Sequence, residues 1–412
     1  MKKVDMKAFC EKTRGRLKRI LNQNIKPFWY PGTIDGENGG YNLNHDVNGK
    51  PLGHGTKMIV TQARMVWYFS RLFNSGWGGA ESLEAARHGY VFLRDKMWDH
   101  ENGGFFWEVD HWGKLTVPNK NMYGQAFGLY ALSEFAMASK DEEALSIARK
   151  LFNLIEEHSH DSLYGGYRES FLKDWSPSPG LGPLGEDSSK IKSMNTHLHM
   201  FEALDNFYRA TEDQKARERL VELVIILSNS IVRKDTGVCT EAFQPDWTPL
   251  HGPRYDRTSY GHNLENIWLL INTCNLLKIP NSLLLDFYRT LFHSTARFGF
   301  DYENGGFYDS GPLNGRADRI DKVWWVQAEA LVCEIYMYRL TGDPAYLDFF
   351  EKTLNWVEKH QVDWENGDWH NIIRPDGKPF GYKAGPWKAA YHNGRAMLEI
   401  IALLDKMGTD ST

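Results

Sequence analysis

Six copies of one short pattern divide this 412-residue chain, and they constrain its fold more than any other feature. Asp35-Gly36-Glu37-Asn38-Gly39-Gly40-Tyr41 returns as Asp99-His100-Glu101-Asn102-Gly103-Gly104-Phe105. It recurs as Asp161-Ser162-Leu163-Tyr164-Gly165-Gly166-Tyr167 and as Asp301-Tyr302-Glu303-Asn304-Gly305-Gly306-Phe307. A weaker copy is Asp363-Trp364-Glu365-Asn366-Gly367-Asp368-Trp369, and the weakest is Asp235-Thr236-Gly237-Val238-Cys239-Thr240-Glu241. By their numbering, successive aspartates lie 64, 62, 74, 66 and 62 residues apart. Self-similarity at a nearly fixed period signals a repeat architecture and overrides the two or three domains that length alone would suggest.

Asp or Asn followed by paired glycines is a tight-turn signal, because glycine accepts positive φ without steric cost. An aromatic then opens a short extended stretch, as in Gly104-Phe105-Phe106-Trp107-Glu108-Val109. Between turns the pattern is helical: Leu145, Ala148, Leu151, Phe152 and Ile155 recur at three- and four-residue steps. Met58 to Leu72, Tyr123 to Ala138 and Val326 to Tyr338 are almost unbroken in apolar content, so those helices are expected to be buried on most sides. One helix before each turn and one after it make six pairs. The expectation is an all-α (α/α)6 barrel with short β-turn and strand connections, forming a single catalytic domain over residues 1–412.

A polar cluster follows each turn by about 20 to 30 residues, at or near the start of the next apolar helix. In chain order these are Gln62-Ala63-Arg64, Tyr123-Gly124-Gln125, Ser193 to Glu202, Tyr260 to Glu265, Trp324 to Glu329 and Trp387 to Arg395. If the inner helices run parallel, all six line one pocket. Asn195 and His199 are four apart. His199 and Glu202, His262 and Glu265, and His392 and Arg395 are three apart, so each pair can share a helix face. A carboxylate one turn from a histidine can fix its tautomer and raise its basicity. A single histidine in an apolar helix is usually structural and hydrogen-bonded, but recurrence at equivalent places in separate repeats favours a pocket. His197 and His199 could be half of a metal site. On a helix, however, residues i and i+2 point about 200° apart, so one should face away. Arg64, inside an apolar run, needs an anionic partner or a bound ligand.

Composition narrows the ligand. Aromatics are plentiful (Trp 15, Tyr 19, Phe 22), and Trp beside His and Glu suits the apolar face of a pyranose, although core packing explains many of these rings. Net charge is -5 with no basic run, which disfavours nucleic acid, and no segment reaches the roughly 18 apolar residues of a membrane helix. Four scattered cysteines fit a reducing compartment. Asp5, Lys7, Glu11 and Lys12 interrupt any apolar signal core after Met1-Lys2-Lys3. A cytoplasmic protein is expected.

Four motifs carry a specific resemblance. Ser193-Met194-Asn195-Thr196-His197-Leu198-His199, Gly261-His262-x-x-Glu265, Trp324-Trp325-x-Gln327-Ala328-Glu329-Ala330 and Tyr391-His392-Asn393-Gly394-Arg395 resemble the cellobiose 2-epimerase branch of the N-acylglucosamine 2-epimerase family, in order over nearly the whole chain. The resemblance implies an (α/α)6 barrel and a sugar 2-epimerase in which His262 and His392 are the general acid/base pair. It implies that His199 assists ring opening and that Arg64 binds the oxygens where charge develops. Trp324, Trp325 and Trp387 would form sugar-stacking walls, with Asn195, Tyr123, Glu265 and Glu329 completing the site. Three positions depart from that branch: Gln62 for Asn, Asn263 for Asp and Ala390 for Pro. Gln62 and Asn263 lean toward a smaller sugar, but the resemblance favours a second ring, and the expectation is a reducing-end epimerase that accepts a β-1,4-disaccharide. The Pro/Gly-rich run from Trp175 to Gly185 is expected to overhang the site.

The chemistry implied is ring opening, removal of the C2 proton to a cis-enediolate, and reprotonation on the opposite face, with neither metal nor nicotinamide required. Reprotonation at C1 would make an aldose–ketose isomerase. A glycoside hydrolase would instead need two flanking carboxylates, for which Glu265 and Glu329 are available. A non-catalytic sugar binder would leave the histidines idle.

Overall fold

The computed structural model describes residues 5–178 and 190–409. Among these, twelve helices of twelve or more residues alternate between two layers. The outer layer is α1 (Met6–Ile20), α3 (Ala80–Phe92), α5 (Glu142–His158), α7 (Gln214–Ile225), α9 (Leu285–Gly299) and α11 (Ala345–Trp356). The inner layer is α2 (Ile59–Asn74), α4 (Met122–Ser139), α6 (Met194–Thr211), α8 (Tyr260–Leu277), α10 (Trp324–Thr341) and α12 (Tyr391–Thr409). Each inner helix touches the next, and α12 closes the ring against both α2 and α1. This is the (α/α)6 barrel expected from the repeat.

The apolar pattern decides which helix goes where. In α5, Ala144, Ala148, Leu151, Phe152 and Ile155 are buried along one face and the rest is solvated, as an outer helix requires. Helix α4 is buried almost end to end, from Met122 to Ala136, because it faces the barrel on one side and the outer layer on the other. No helix among the described residues is long and apolar enough to cross a membrane.

Every inner helix but the last is entered through a short strand that pairs antiparallel with a strand beyond the following turn: Lys57–Met58 with Glu108–Val109, Lys120–Asn121 with Ser170–Phe171, Lys192–Ser193 with Ala242–Phe243, Arg257–Ser259 with Ser310–Pro312, and Lys322–Val323 with Ile372–Ile373. These pairings knit each repeat to the next at one end of the barrel, the end where the inner helices begin.

Five of the six turns hide an ion pair that the sequence did not disclose. Asp35 accepts from Lys57 Nζ at 2.7 Å, Asp99 from Lys120 at 2.7 Å, Asp161 from Lys192 at 2.8 Å, Asp301 from Lys322 at 2.7 Å and Asp363 from Lys383 at 2.6 Å. The other oxygen of each aspartate caps its own turn, as Asp301 Oδ1 does for the Asn304 N–H at 3.0 Å. Lys57, Lys192 and Lys322 also donate to the carbonyl of the first glycine of the turn. The weakest copy lacks the device: Thr258 stands where the lysine would be, and Asp235 faces solvent against Arg233.

A second tie follows from the inner helices. Gln62, Gln125 and Gln327 each receive one backbone N–H and donate to the carbonyl of the same residue, Tyr41, Phe105 and Phe307 respectively, at 2.6–2.9 Å. His197 Nε2 accepts the Tyr167 N–H at 2.8 Å, and Asn263 Oδ1 accepts that of Cys239 at 3.2 Å. These five residues belong to clusters expected to line the pocket. They turn the other way, because the turn's extended backbone needs partners where the helix covers it. The second glycine of each full turn allows this approach; a Cβ on Gly306 would sit 2.7 Å from Gln327 Oε1. Trp175 is buried, with its indole N–H on the Asn102 and Gly103 carbonyls, and the overhang expected over residues 175–185 lies outside the described residues from 179 onward.

Asp301→Ala leaves the Lys322 ammonium buried without its carboxylate and should cost about 3–5 kcal/mol. Asp235→Ala, at the exposed copy, should stay within about 0.5 kcal/mol of the parent. Urea denaturation of the two variants side by side makes the comparison, and equal losses would remove the structural role given to the buried pair.

Candidate active site

The starts of the inner helices bring the polar clusters together as the parallel arrangement requires. Three histidines each hold a carboxylate at Nδ1: His199 with Glu202 Oε2 at 3.2 Å, His262 with Glu241 Oε1 at 2.6 Å and His392 with Glu329 Oε1 at 2.6 Å. A carboxylate accepts, so Nδ1 carries the proton and Nε2 is left to act on a ligand. His197, two residues from His199, points outward into its turn and donates from Nδ1 to the Ser193 carbonyl at 2.7 Å, with burial pushing it down to about 3. The 200° separation between the two histidines is realised.

Helical spacing named the right partner once. Glu202 serves His199, but Glu265 does not serve His262. That role falls to Glu241, which lies in the weakest turn copy, two residues past Cys239. The equivalent places in the neighbouring turns hold Glu169 and Asp309, so an acid recurring two residues past the turn's aromatic position was a signal available in the sequence. Glu265 and Glu329 instead share Arg395: Nη2 donates to Glu265 Oε1 at 2.6 Å and to Glu329 Oε1 at 2.8 Å. Arg395 Nη1 reaches Glu202, and the Tyr391 hydroxyl lies against both. All of these groups are buried.

Arg64 is equally buried, yet among the described residues no carboxylate lies within ion-pair distance of it. Its Nη1 donates to the Trp387 carbonyl and its Nη2 to the Tyr123 hydroxyl, each at 3.0 Å. The guanidinium lies 4.3 Å from the Phe127 ring centroid and 4.9 Å from that of Tyr391. A buried cation held by neutral groups is a receptor for an anionic oxygen. Trp325, half-buried, stands between two histidines, 4.8 Å from the His262 ring and 5.7 Å from that of His392. Trp387 is 40% exposed and overhangs Tyr123. Trp324 is buried and meets His392 edge-on, so it backs the histidine more than it offers a face. Asn195, in the first turn of α6, keeps a sheltered Oδ1 with no donor among the described residues.

The two histidines beside Trp325 have opposite charge preferences. Burial works against protonation of His262, but Glu241, with help from Glu265 and Asp309, raises it to about 8. Burial drives His392 well below its ordinary value, and the Arg64 and Arg395 cations add to the effect. His199 is also lowered by burial, against the pull of Glu202. At neutral pH the resting site therefore presents one imidazolium and two neutral imidazoles.

Two sets of metal-ligand type occur, His199–Glu202–Glu265 and Glu265–Glu329–His392. Arg395 bonds to all three of these acids, so a cation already stands at the centre of both sets.

Comparison with known proteins puts the arrangement among sugar isomerases. The N-acylglucosamine 2-epimerase (GlcNAc 2-epimerase) family matches residues 39–396, and the chain belongs to that family. It is 33% identical to a cellobiose 2-epimerase of Ruminococcus albus over 399 residues, 93% of this chain and 97% of the relative. The solved cellobiose 2-epimerase of Spirochaeta thermophila superposes with a TM-score of 0.89 at 35% identity, covering 98% of this chain and 99% of that one. A family 76 glycoside hydrolase from a Bacteroides thetaiotaomicron strain reaches a TM-score of 0.60 at 12% identity, a likeness of fold alone.

Histidine-selective NMR should find His262 titrating near 8 while His392 stays neutral from pH 6 upward. In Glu241→Gln the burial of His262 remains and its counter-charge is gone, so its midpoint should fall below 6.5. A midpoint unmoved by that change would detach Glu241 from His262.

Proposed function

We propose that this enzyme interconverts the gluco and manno configurations at C2 of the reducing-end aldose of a β-1,4-linked disaccharide, through ring opening and a cis-enediolate. One arrangement carries the reading: His262 and His392 flank Trp325, the first raised by Glu241 and the second lowered by burial, near an arginine with no carboxylate partner among the described residues. A C2 hydrogen becomes acidic once the ring opens, because it then lies α to the C1 aldehyde. Neutral His392 takes that proton at Nε2, and protonated His262 returns one to the other face. Arg64, with the Tyr123 hydroxyl beside it, meets the charge growing on the enediolate oxygens. His199, backed by Glu202, supports ring opening, and Asn195 and Glu265 offer unpaired oxygens to sugar hydroxyls. Trp325 and Trp387 receive the apolar face of the ring. The reverse direction starts from the opposite protonation states, as microscopic reversibility demands.

Hydrolysis fits less well. Glu265 and Glu329 both bond to the same guanidinium nitrogen, which leaves no separated pair to flank a glycosidic bond. For substrate size, the names of the relatives support a disaccharide. Gln62 and Asn263, which lean toward a smaller sugar in the sequence, bind turn backbone behind the pocket wall and carry no weight on that question. Four free cysteines, all buried, support a reducing, cytoplasmic setting.

In D2O, the epimerised sugar should carry deuterium at C2, with EDTA leaving the rate unchanged; a ketose product would redirect the assignment to isomerisation. His262→Ala and His392→Ala should each lose on the order of 10²-fold or more in kcat while remaining folded. Comparing kcat/KM for cellobiose and mannobiose with glucose and mannose tests size. A preference of more than about tenfold for the monosaccharides, some 1.4 kcal/mol, would replace the disaccharide assignment.

A further inference from the structure

Beneath the histidines lies a charge cluster whose arginine, Arg395, has no part in the reaction scheme. Three buried carboxylates, from α6 (Glu202), α8 (Glu265) and α10 (Glu329), converge on one buried guanidinium from α12. Two of the three are also the carboxylates at Nδ1 of His199 and His392. We propose that Arg395 is a positioning residue that sets the tautomer of His392 by holding Glu329 ionised. The proposal rests on the assignment of His392 as a proton-transfer group.

The geometry is a shared oxygen. Glu329 Oε1 receives His392 Nδ1–H at 2.6 Å and Arg395 Nη2–H at 2.8 Å, while its Oε2 receives the Trp268 indole N–H at 2.8 Å. Every donor around this carboxylate presumes that it is charged. Were it to take up a proton, its O–H would face Nδ1, and Nδ1 would have to become the acceptor. The imidazole proton would then sit on Nε2. A neutral imidazole has one donor and one acceptor nitrogen, so Nε2 would cease to be a base for a C2 proton.

That exchange falls within the working pH range. Burial raises Glu329 to about 8 and Glu265 adds a like charge, while Arg395 and Trp268 pull the other way. Glu202, more tightly bound by the same arginine, is held down to about 2 despite its burial. The groups facing the Glu329–His392 pair are Arg395 and Tyr391 from α12, Glu265 and Trp268 from α8, Glu202 and His199 from α6, Arg64 from α2, and His262 from α8. Of these, Arg395 is the only cation bonded to Glu329. Removing its charge leaves three buried acids without a counter-ion, and Glu329 is the one already raised by Glu265.

The test reads the tautomer directly. In the full-length enzyme with 15N-labelled histidine, the Nδ1–H form of His392 should give way to Nε2–H as pH falls through the boundary set by Glu329. In Arg395→Met that boundary should lie at least one pH unit higher. With an epimerised sugar, the Met variant should lose roughly 10²-fold or more in kcat. KM should change less than about threefold, and the acid limb of the pH profile should move up by at least one pH unit. Arg395→Lys keeps the charge and loses the fork, so its boundary should lie between those of the parent and the Met variant, and it should recover at least about tenfold of the lost kcat. If the Met variant does not fold, the Lys variant decides the matter: the pH at which its Nδ1–H form gives way must lie above that of the parent. An unmoved tautomer boundary in whichever variant folds would overturn the proposal. The NMR reading needs no substrate, so it stands or falls separately from the epimerase assignment.

Discussion

A lysine buried two residues ahead of an inner helix is the contact on which four of the six repeats are built, and Lys383 makes the equivalent contact farther ahead of α12. Its ammonium cannot stay in the wall of the barrel unless the turn's aspartate is there to meet it, and burial lowers Lys57, Lys120, Lys192 and Lys322 even so. The aspartate in turn caps its own turn with its second oxygen. Outer helix, turn and inner helix are therefore joined at one point by groups that each need the other. Since the lysine also opens the strand leading into the helix, it sets the height at which the helix begins. The side chains one to two turns further on, Arg64 and His199 among them, inherit their position from it.

The catalytic end of the barrel spends stability in a different way. The turn ion pairs match one cation to one anion, whereas the floor of the pocket gathers three carboxylates on one guanidinium. Like charges in a buried site raise one another, and the result is a graded set in which Glu202 is firmly ionised and Glu329 is near its limit. Above them, the same crowding separates His262 from His392. Glu241, with Glu265 and Asp309 behind it, overcomes burial at the first, and two arginines reinforce burial at the second. Two side chains of one kind are thus fitted for opposite tasks by what surrounds them.

Most of the fold was legible because its information is local. The paired glycines, the aromatic after them and the apolar period of helices such as α5 are each contained in a few residues, and their repetition announced the ring. The candidate site was legible only in part. The histidines and Arg64 could be picked out as polar groups in apolar helices, and His199 could be paired with Glu202 because both lie on α6. The partner of His262 comes from the turn before its helix, and the partner of His392 from another helix, so spacing along one helix had nothing to say about either. The same gap misplaced Gln62, Gln125, Gln327 and Asn263. A helix start has a face toward the pocket and a face toward the turn, and the sequence marks both with polar residues.

Chain order adds a consequence for assembly. Glu202, Glu265 and Glu329 lie on the third, fourth and fifth inner helices, and the arginine that reconciles them lies on the sixth. During synthesis, five of the six inner helices emerge before Arg395, and the three acids they carry repel one another until α12 arrives. The helix that seals the ring against α1 and α2 is also the one that brings the shared cation to its interior. An incomplete ring is consequently discouraged from closing on itself, and the docking of the last helix completes the barrel and switches on its chemistry in one event.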